Sequence, residues 1–133
     1  MSGMRAIAEA AYRAINGDDL DAFLEVIADD VEFTSLVAEA EGITYRGHDG
    51  AREWWHTVRS AFSDGRWDMV ELTESGSDAV ARVHISGHIR GVPVEQTMWQ
   101  AIEMRDGKAG WWAFFRDERE ARAAVGWPPA SPS

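Results

Sequence analysis

The chain has 133 residues, enough for one domain with a real core. Its 45% hydrophobic and 27% charged residues exclude a disordered chain, and the absence of cysteine excludes disulfide scaffolds, zinc–thiolate sites and thiol nucleophiles. Thirteen basic residues against 23 acidic ones leave a net charge of -10, the wrong field for phosphate groups, so neither nucleic acid nor an anionic membrane is an expected partner.

The N-terminal stretch has no secretory apolar core and looks helical instead. The longest apolar run, Trp111 to Phe115, is far too short to span a bilayer. A cytoplasmic location is therefore expected.

A helix is predicted over Ala6–Asn16, with Ile7, Ala11, Ala14 and Ile15 at helical spacing. Asn16-Gly17-Asp18 ends it, and Asp18 or Asp19 caps a second helix whose stripe is Leu20, Phe23, Leu24 and Ile27. Val31–Leu36 reads as a strand, followed by a loop and an extended piece at Ile43–Arg46. Gly47 to Gly50 opens a third helix carrying Trp54, Trp55, Val58 and Phe62. Strands are predicted over 66–74, 79–89, 94–104 and 109–116, punctuated by Gly76, Gly91-Val92 and Asp106-Gly107. Arg116–Val125 closes as a short helix that Gly126 ends, with Asp117 as its cap. The pattern predicts an α+β fold, with helices on one side of a curved, mostly antiparallel sheet. One domain is expected over residues 1–127, with a Pro-rich tail over 128–133.

Strand parity divides the sheet's side chains. A two-residue turn at Gly91-Val92 sets Arg82 opposite Ala101 and His84 opposite Trp99. A two-residue turn at Asp106-Gly107 sets Trp99 opposite Phe114 and Ala101 opposite Trp112. One face then holds Arg82, His84, Trp99, Trp112 and Phe114. The other holds Met98, Gln100, Trp111 and Phe115. Both are too apolar for water, so one is expected to meet the helices and the other a second copy of the chain. The first face is the better pocket, being aromatic with a few polar groups. Alternatively, Arg82 and His84 belong to a solvated face and pair with acidic neighbours such as Glu95 and Glu103.

Several segments together carry a family resemblance. They are Asn16-Gly17-Asp18-Asp19-Leu20-Asp21, Ala28-Asp29-Asp30-Val31-Glu32-Phe33, Tyr45-Arg46-Gly47-His48-Asp49-Gly50, Arg105-Asp106-Gly107-Lys108, and Arg116-Asp117-Glu118-Arg119-Glu120-Ala121 followed by Gly126. In this order they resemble the SnoaL-like branch of the NTF2-like superfamily. The resemblance implies a cone-shaped α+β sheet wrapped around N-terminal helices, with a deep pocket between them, and frequent homodimers. The fold does not name the chemistry. Where ketosteroid isomerases carry a carboxylate base, the similar position here is Ser35. Their helical tyrosine falls at Ala11, one position from Tyr12, and their second acid falls at Gln100. These departures argue against that enol chemistry. Where limonene-type epoxide hydrolases carry an arginine between two aspartates, this chain keeps Arg82 but has His84 and Phe114 at the acidic positions. The acid of SnoaL-type cyclases has no unique counterpart: Glu39, Glu41 and Glu71 are unmatched.

The candidate catalytic residues are accordingly His84, a titratable group near neutrality, and Arg82, an anion stabiliser beside it. The candidate substrate contacts are Ser35, Tyr12, Trp55, Trp99, Trp112 and Phe114. Of the adjacent Trp54 and Trp55, one is expected to face the core or pocket and the other to turn away. The scattered histidines have no metal-ligand spacing, so no metal and no other cofactor is expected. Two functions stay open: a cofactor-free acid/base enzyme (isomerase, cyclase or hydrolase) on a small apolar substrate, or a non-catalytic ligand-binding or dimeric interaction module.

Overall fold

The structure, a computed structural model, describes residues 3–34 and 44–128. The predicted positions Ser35, Leu36, Glu39, Glu41 and Ile43, and the tail beyond Pro128, lie outside the described residues.

Helix α1 (Met4–Asn16) buries Met4, Ala8, Tyr12 and Ile15 along one face, as their spacing of three and four requires. It stops at Gly17, and Asp18 follows with a positive φ of 54°. Asp19 caps α2 (Leu20–Val26) by accepting from the Ala22 N–H at 3.1 Å. Ile27, predicted to complete the stripe of α2, instead opens β1 (Ile27–Phe33). The strand starts irregularly, with Ile27 and Ala28 buried, Asp29 and Asp30 exposed, and a register shift against its neighbour between Ile27 and Glu32, so no alternation marks its start in the sequence. Strand β2 (Tyr45–Arg46) is short and leads into α3 (Gly47–Ala61), which buries Ala51, Trp54, Trp55 and Val58. The meander β3 (Arg66–Ser75), β4 (Asp78–Ile89), β5 (Val92–Arg105) and β6 (Lys108–Phe115) follows, and α4 (Glu118–Ala124) closes the described fold. Asp117 caps α4 through Glu120 N–H at 2.8 Å, as predicted, and Gly126 ends it with a φ of 75°. Arg116 stays outside the helix.

The six strands form one sheet in the order β2-β1-β6-β5-β4-β3. All neighbours are antiparallel except β1 and β6, which run parallel. Helices α1, α2 and α3 pack with the inner face of the sheet into one core. The outer face carries α4, where Ala121 meets Val80 and Ala101, with Trp99, Trp111, Phe115, Val125 and Trp127 packed around them. This is the predicted α+β architecture with a curved, mostly antiparallel sheet.

The register corrects the parity reading in two places. The β4–β5 turn is Arg90-Gly91, both with positive φ, rather than Gly91-Val92. Arg82 therefore faces Trp99 and His84 faces Thr97. That shift of two residues leaves each side chain on its predicted side of β4 and β5. The β5–β6 turn is Asp106-Gly107, as predicted, but a bulge follows. Met104 pairs with Ala109, then Glu103 pairs with Trp111, so Gly110 is the extra residue. One extra residue flips everything beyond it. Trp112 and Phe114 therefore leave the face of Arg82, His84 and Trp99 and turn inward, while Trp111 and Phe115 turn outward. Gly110 suits the site because a Cβ there would collide with Arg105 Nε and lie 3.0 Å from its Cζ. Arg105 in turn donates to the Gly110 carbonyl and pairs with Asp30 at 3.1 Å, clamping the bulge toward β1.

Candidate functional site

The inner face and the helices enclose an apolar cavity of about 40 Å³. Its walls come from α1 (Met4, Ile7, Ala8, Ala11, Tyr12, Ile15), from Phe23 and Ile27, from Trp54 of α3, and from the sheet. The sheet contributes Trp67, Gln100, Ile102, Ala109, Trp112 and Phe114. Small-molecule sites usually run to about 300–1,000 Å³, whereas this volume takes only roughly two or three waters. A ligand must therefore displace wall side chains. Met4 also lines an open cleft of about 600 Å³ formed with Gly3, Glu74–Ser77, Met104, Asp106 and Gly107.

One polar pair interrupts these walls. The Tyr12 hydroxyl donates to Gln100 Oε1, and both residues are buried, at 6% and 7% exposure. Gln100 is the sole buried polar or charged residue among those described. Its amide still has N–H groups to offer, and the phenol oxygen keeps its lone pairs. Burial pushes the Tyr12 phenol well above its ordinary pKa, so at neutral pH it stays protonated.

The helix that carries Tyr12 is pinned one turn later. Asn16 Nδ2 donates to the Trp67 carbonyl and Asn16 Oδ1 accepts from the Trp67 N–H, each at 2.8 Å. The Asn16 amide thus pairs with β3 as a further strand would. Aromatic contacts fix the opposite wall. Phe33 stacks on Trp112 with centroids 4.4 Å apart, and Phe23, 1% exposed, touches Trp54, Trp55 and Trp112.

The predicted site residues separate into groups. Tyr12, Trp112 and Phe114 line the cavity. Trp55 is buried beside it, but turns its Nε1–H to Asp18 Oδ1 at 3.0 Å, under the Arg59 guanidinium. Its neighbour Trp54 takes the cavity position. Arg82, His84 and Trp99 lie on the outer face, half-buried, and do not line the cavity. Arg82 pairs there with Glu71 at 3.5 Å, and His84 with Glu95 at 3.5 Å. Among the described residues, no three His, Asp or Glu side chains gather as a metal site would require, and no helix is long and apolar enough to cross a membrane.

Gln100, Phe23 and Trp67 are not among the ligand contacts expected from the sequence, and of the pair Trp54 and Trp55 the expected contact is Trp55, whereas the cavity is lined by Gln100, Phe23, Trp67 and Trp54. A signal existed for Gln100, because the family comparison had placed an acid there and a tyrosine one position from Tyr12. None existed for choosing Trp54 over Trp55.

The chain belongs to the SnoaL-like family, whose domain matches residues 8–123. Among solved structures it is similar to an inferred polyketide cyclase of Sinorhizobium meliloti, with 26% identity and a TM-score of 0.70 over 82% of this chain and 93% of that one. An NTF2-like protein of unknown function from Burkholderia pseudomallei superposes with a TM-score of 0.78 at 22% identity, covering 95% of this chain and 99% of that one. TerC, co-crystallised with polyporic acid, matches with a TM-score of 0.73 at 23% identity, over 90% of this chain and 95% of that one. No curated protein matches the sequence.

Proposed function

We propose that this protein binds a small, flat, largely apolar molecule bearing an oxygen function, held in the inner cavity and oriented by Tyr12 and Gln100. The observation that carries this reading is their buried hydrogen bond in otherwise apolar walls. A polar pair so placed loses hydration on folding, and a ligand hydroxyl or carbonyl can use the capacity that the pair leaves over. None of the described lining residues is a carboxylate, an imidazole or an amine. The described walls therefore supply hydrogen bonds and aromatic contact. The family and the cyclase-like relative support a small-molecule role in general terms.

The same pair favours one second reading. The Gln100 amide N–H, oriented by Tyr12 in a dry site, can stabilise an enolate oxygen, which would make the protein a cofactor-free enzyme. That chemistry needs a base. The sequence candidates are His84, on the outer face, and Glu39 or Glu41, outside the described residues.

Calorimetric titration with bicyclic aromatic ketones, followed by mass analysis of the recovered ligand, tests both readings. Binding that weakens about tenfold in Gln100→Leu, with unchanged ligand mass and spectrum, supports the binding role. Turnover supports the enzyme. Binding unaffected by Gln100→Leu removes the pair from the site.

The outer face bears on the partner. Trp99, Trp111 and Phe115 stay only partly covered beside α4. A homodimer through this face would bury them. Sedimentation should then give a dimer that Trp111→Glu converts to monomer. An unchanged mass would remove this surface from any interface.

A further inference from the structure

Among the described residues, the buried side-chain nitrogens and oxygens left without a hydrogen-bond partner are Trp54 Nε1, Arg59 Nη2, Arg82 Nε and Arg105 Nε. The three arginines spend other nitrogens of the same guanidinium on Asp18, Glu71 and Asp30 respectively. Trp54 differs, because an indole has one donor and no acceptor, so its whole polar capacity is idle. Its ring is 5% exposed and lines the cavity. It is also held in place: Phe23 lies 5.8 Å away and Phe33 meets it edge-on at 5.6 Å and 89°. The adjacent Trp55 shows the ordinary solution, with its Nε1–H given to Asp18. A buried donor left idle costs free energy, and native folds rarely keep one without a use.

We infer that Trp54 is a second polar anchor for the ligand, its indole N–H donating to an acceptor oxygen while Tyr12 and Gln100 hold another oxygen of the same molecule. This rests on the proposed binding role and narrows it. The ligand class becomes a ring system with two separated oxygen functions, of which the one at Trp54 is a pure acceptor such as a carbonyl. A hydroxyl bound only as a donor does not satisfy an indole, so the site selects against it at that end. The chain contains no cysteine, so quinones can serve as probes without thiol addition.

The test compares naphthoquinone, tetralone and naphthalene, which carry two, one and no carbonyl groups on similar rings. Affinities for the wild type and Trp54→Phe are measured by calorimetry, and the Trp54 indole proton is followed by NMR in the wild type. The expected result is a preference for naphthoquinone over tetralone of about tenfold that collapses in Trp54→Phe, with a downfield shift of the Trp54 indole proton on binding. Should Trp54→Phe fold poorly, the wild-type indole shift decides alone, assigned through its proximity to the Phe23 and Phe33 rings. Binding of all three probes with no indole shift overturns the Trp54 anchor but leaves the cavity as the binding site. Failure of every probe to bind overturns both.

Discussion

Tyr12 and Gln100 stand 88 positions apart in the chain and meet as a hydrogen-bonded pair at the cavity. Removing one partner strands the other. Tyr12→Phe should cost about 1–3 kcal/mol, because the Gln100 amide then stays buried without its donor. Tyr12→Phe combined with Gln100→Leu should cost less than the two single changes added together, since no polar group is left stranded. Urea unfolding of the four proteins measures this coupling, and strict additivity would contradict it.

Asn16 predicts a local effect. Its two bonds to the Trp67 backbone fasten α1 to β3. Asn16→Ala should lose about 1–3 kcal/mol and speed hydrogen exchange at the Trp67 amide more than at amides of β5. Uniform acceleration across the sheet would mean that the bonds act only through global stability.

The bulge at Gly110 makes a steric prediction. In Gly110→Ala the new methyl displaces Arg105, which then loses its grip on the Gly110 carbonyl and on Asp30. The expected destabilisation is about 1–3 kcal/mol by thermal unfolding. Arg105→Ala in the same chain should relieve the clash, so the second change should cost less there than in the wild type.

Acid should weaken one surface clasp. Asp64 accepts from the His88 backbone N–H at 2.8 Å and from His88 Nδ1 at 2.7 Å. These bonds hold its carboxyl below the ordinary value of 3.8. A carboxyl lowered in the folded state adds stability above its unfolded pKa and loses it as pH falls through the folded one. The contribution is thus complete at neutral pH and fades below about pH 4. Asp64→Asn should narrow the gap in Tm between about pH 3 and pH 7, by a small amount because the pair is exposed. An unchanged gap would show that the clasp does not affect folding.

Phe23 touches three of the cavity's tryptophan neighbours at almost complete burial. Phe23→Ala should destabilise the fold by about 3–5 kcal/mol while enlarging the cavity. If the cavity is the binding site, surviving folded protein should accept bulkier aromatic probes than the wild type. Fluorescence-detected unfolding with and without such a probe gives both numbers.

Much of this architecture was legible because its signals are local. Asp19 and Asp117 announce their helices by chemistry within one turn, and Asp106-Gly107 announces its hairpin in two residues. The cavity was legible only in fragments. Strand counting sets Arg82 and His84 on the same side of the sheet as Trp99, as observed, but it also sets Trp112 and Phe114 there, because it counts through an unbroken strand. Gly110 breaks that count. A lone glycine inside a strand pattern is the usual mark of a bulge, yet its effect on facing depends on Arg105 and Asp30, which no local window connects. Trp54 and Trp55 show the same limit. Helical geometry sets them apart in angle, and no local signal shows that Trp55 meets Asp18 while Trp54 lines the cavity.

The parallel pairing of β1 with β6 has a consequence for a chain being made on a ribosome. Phe33 lies beside Trp112, about eighty residues further along. At translation rates of about 5–20 residues per second, β1 waits roughly 4–16 s for the strand that completes its sheet. During that interval Val31 and Phe33, both 0% exposed in the finished fold, have no inner strand to lie against. A nonsense codon anywhere before β6 therefore yields no smaller working version of this protein, but an apolar fragment open to chaperones and proteases.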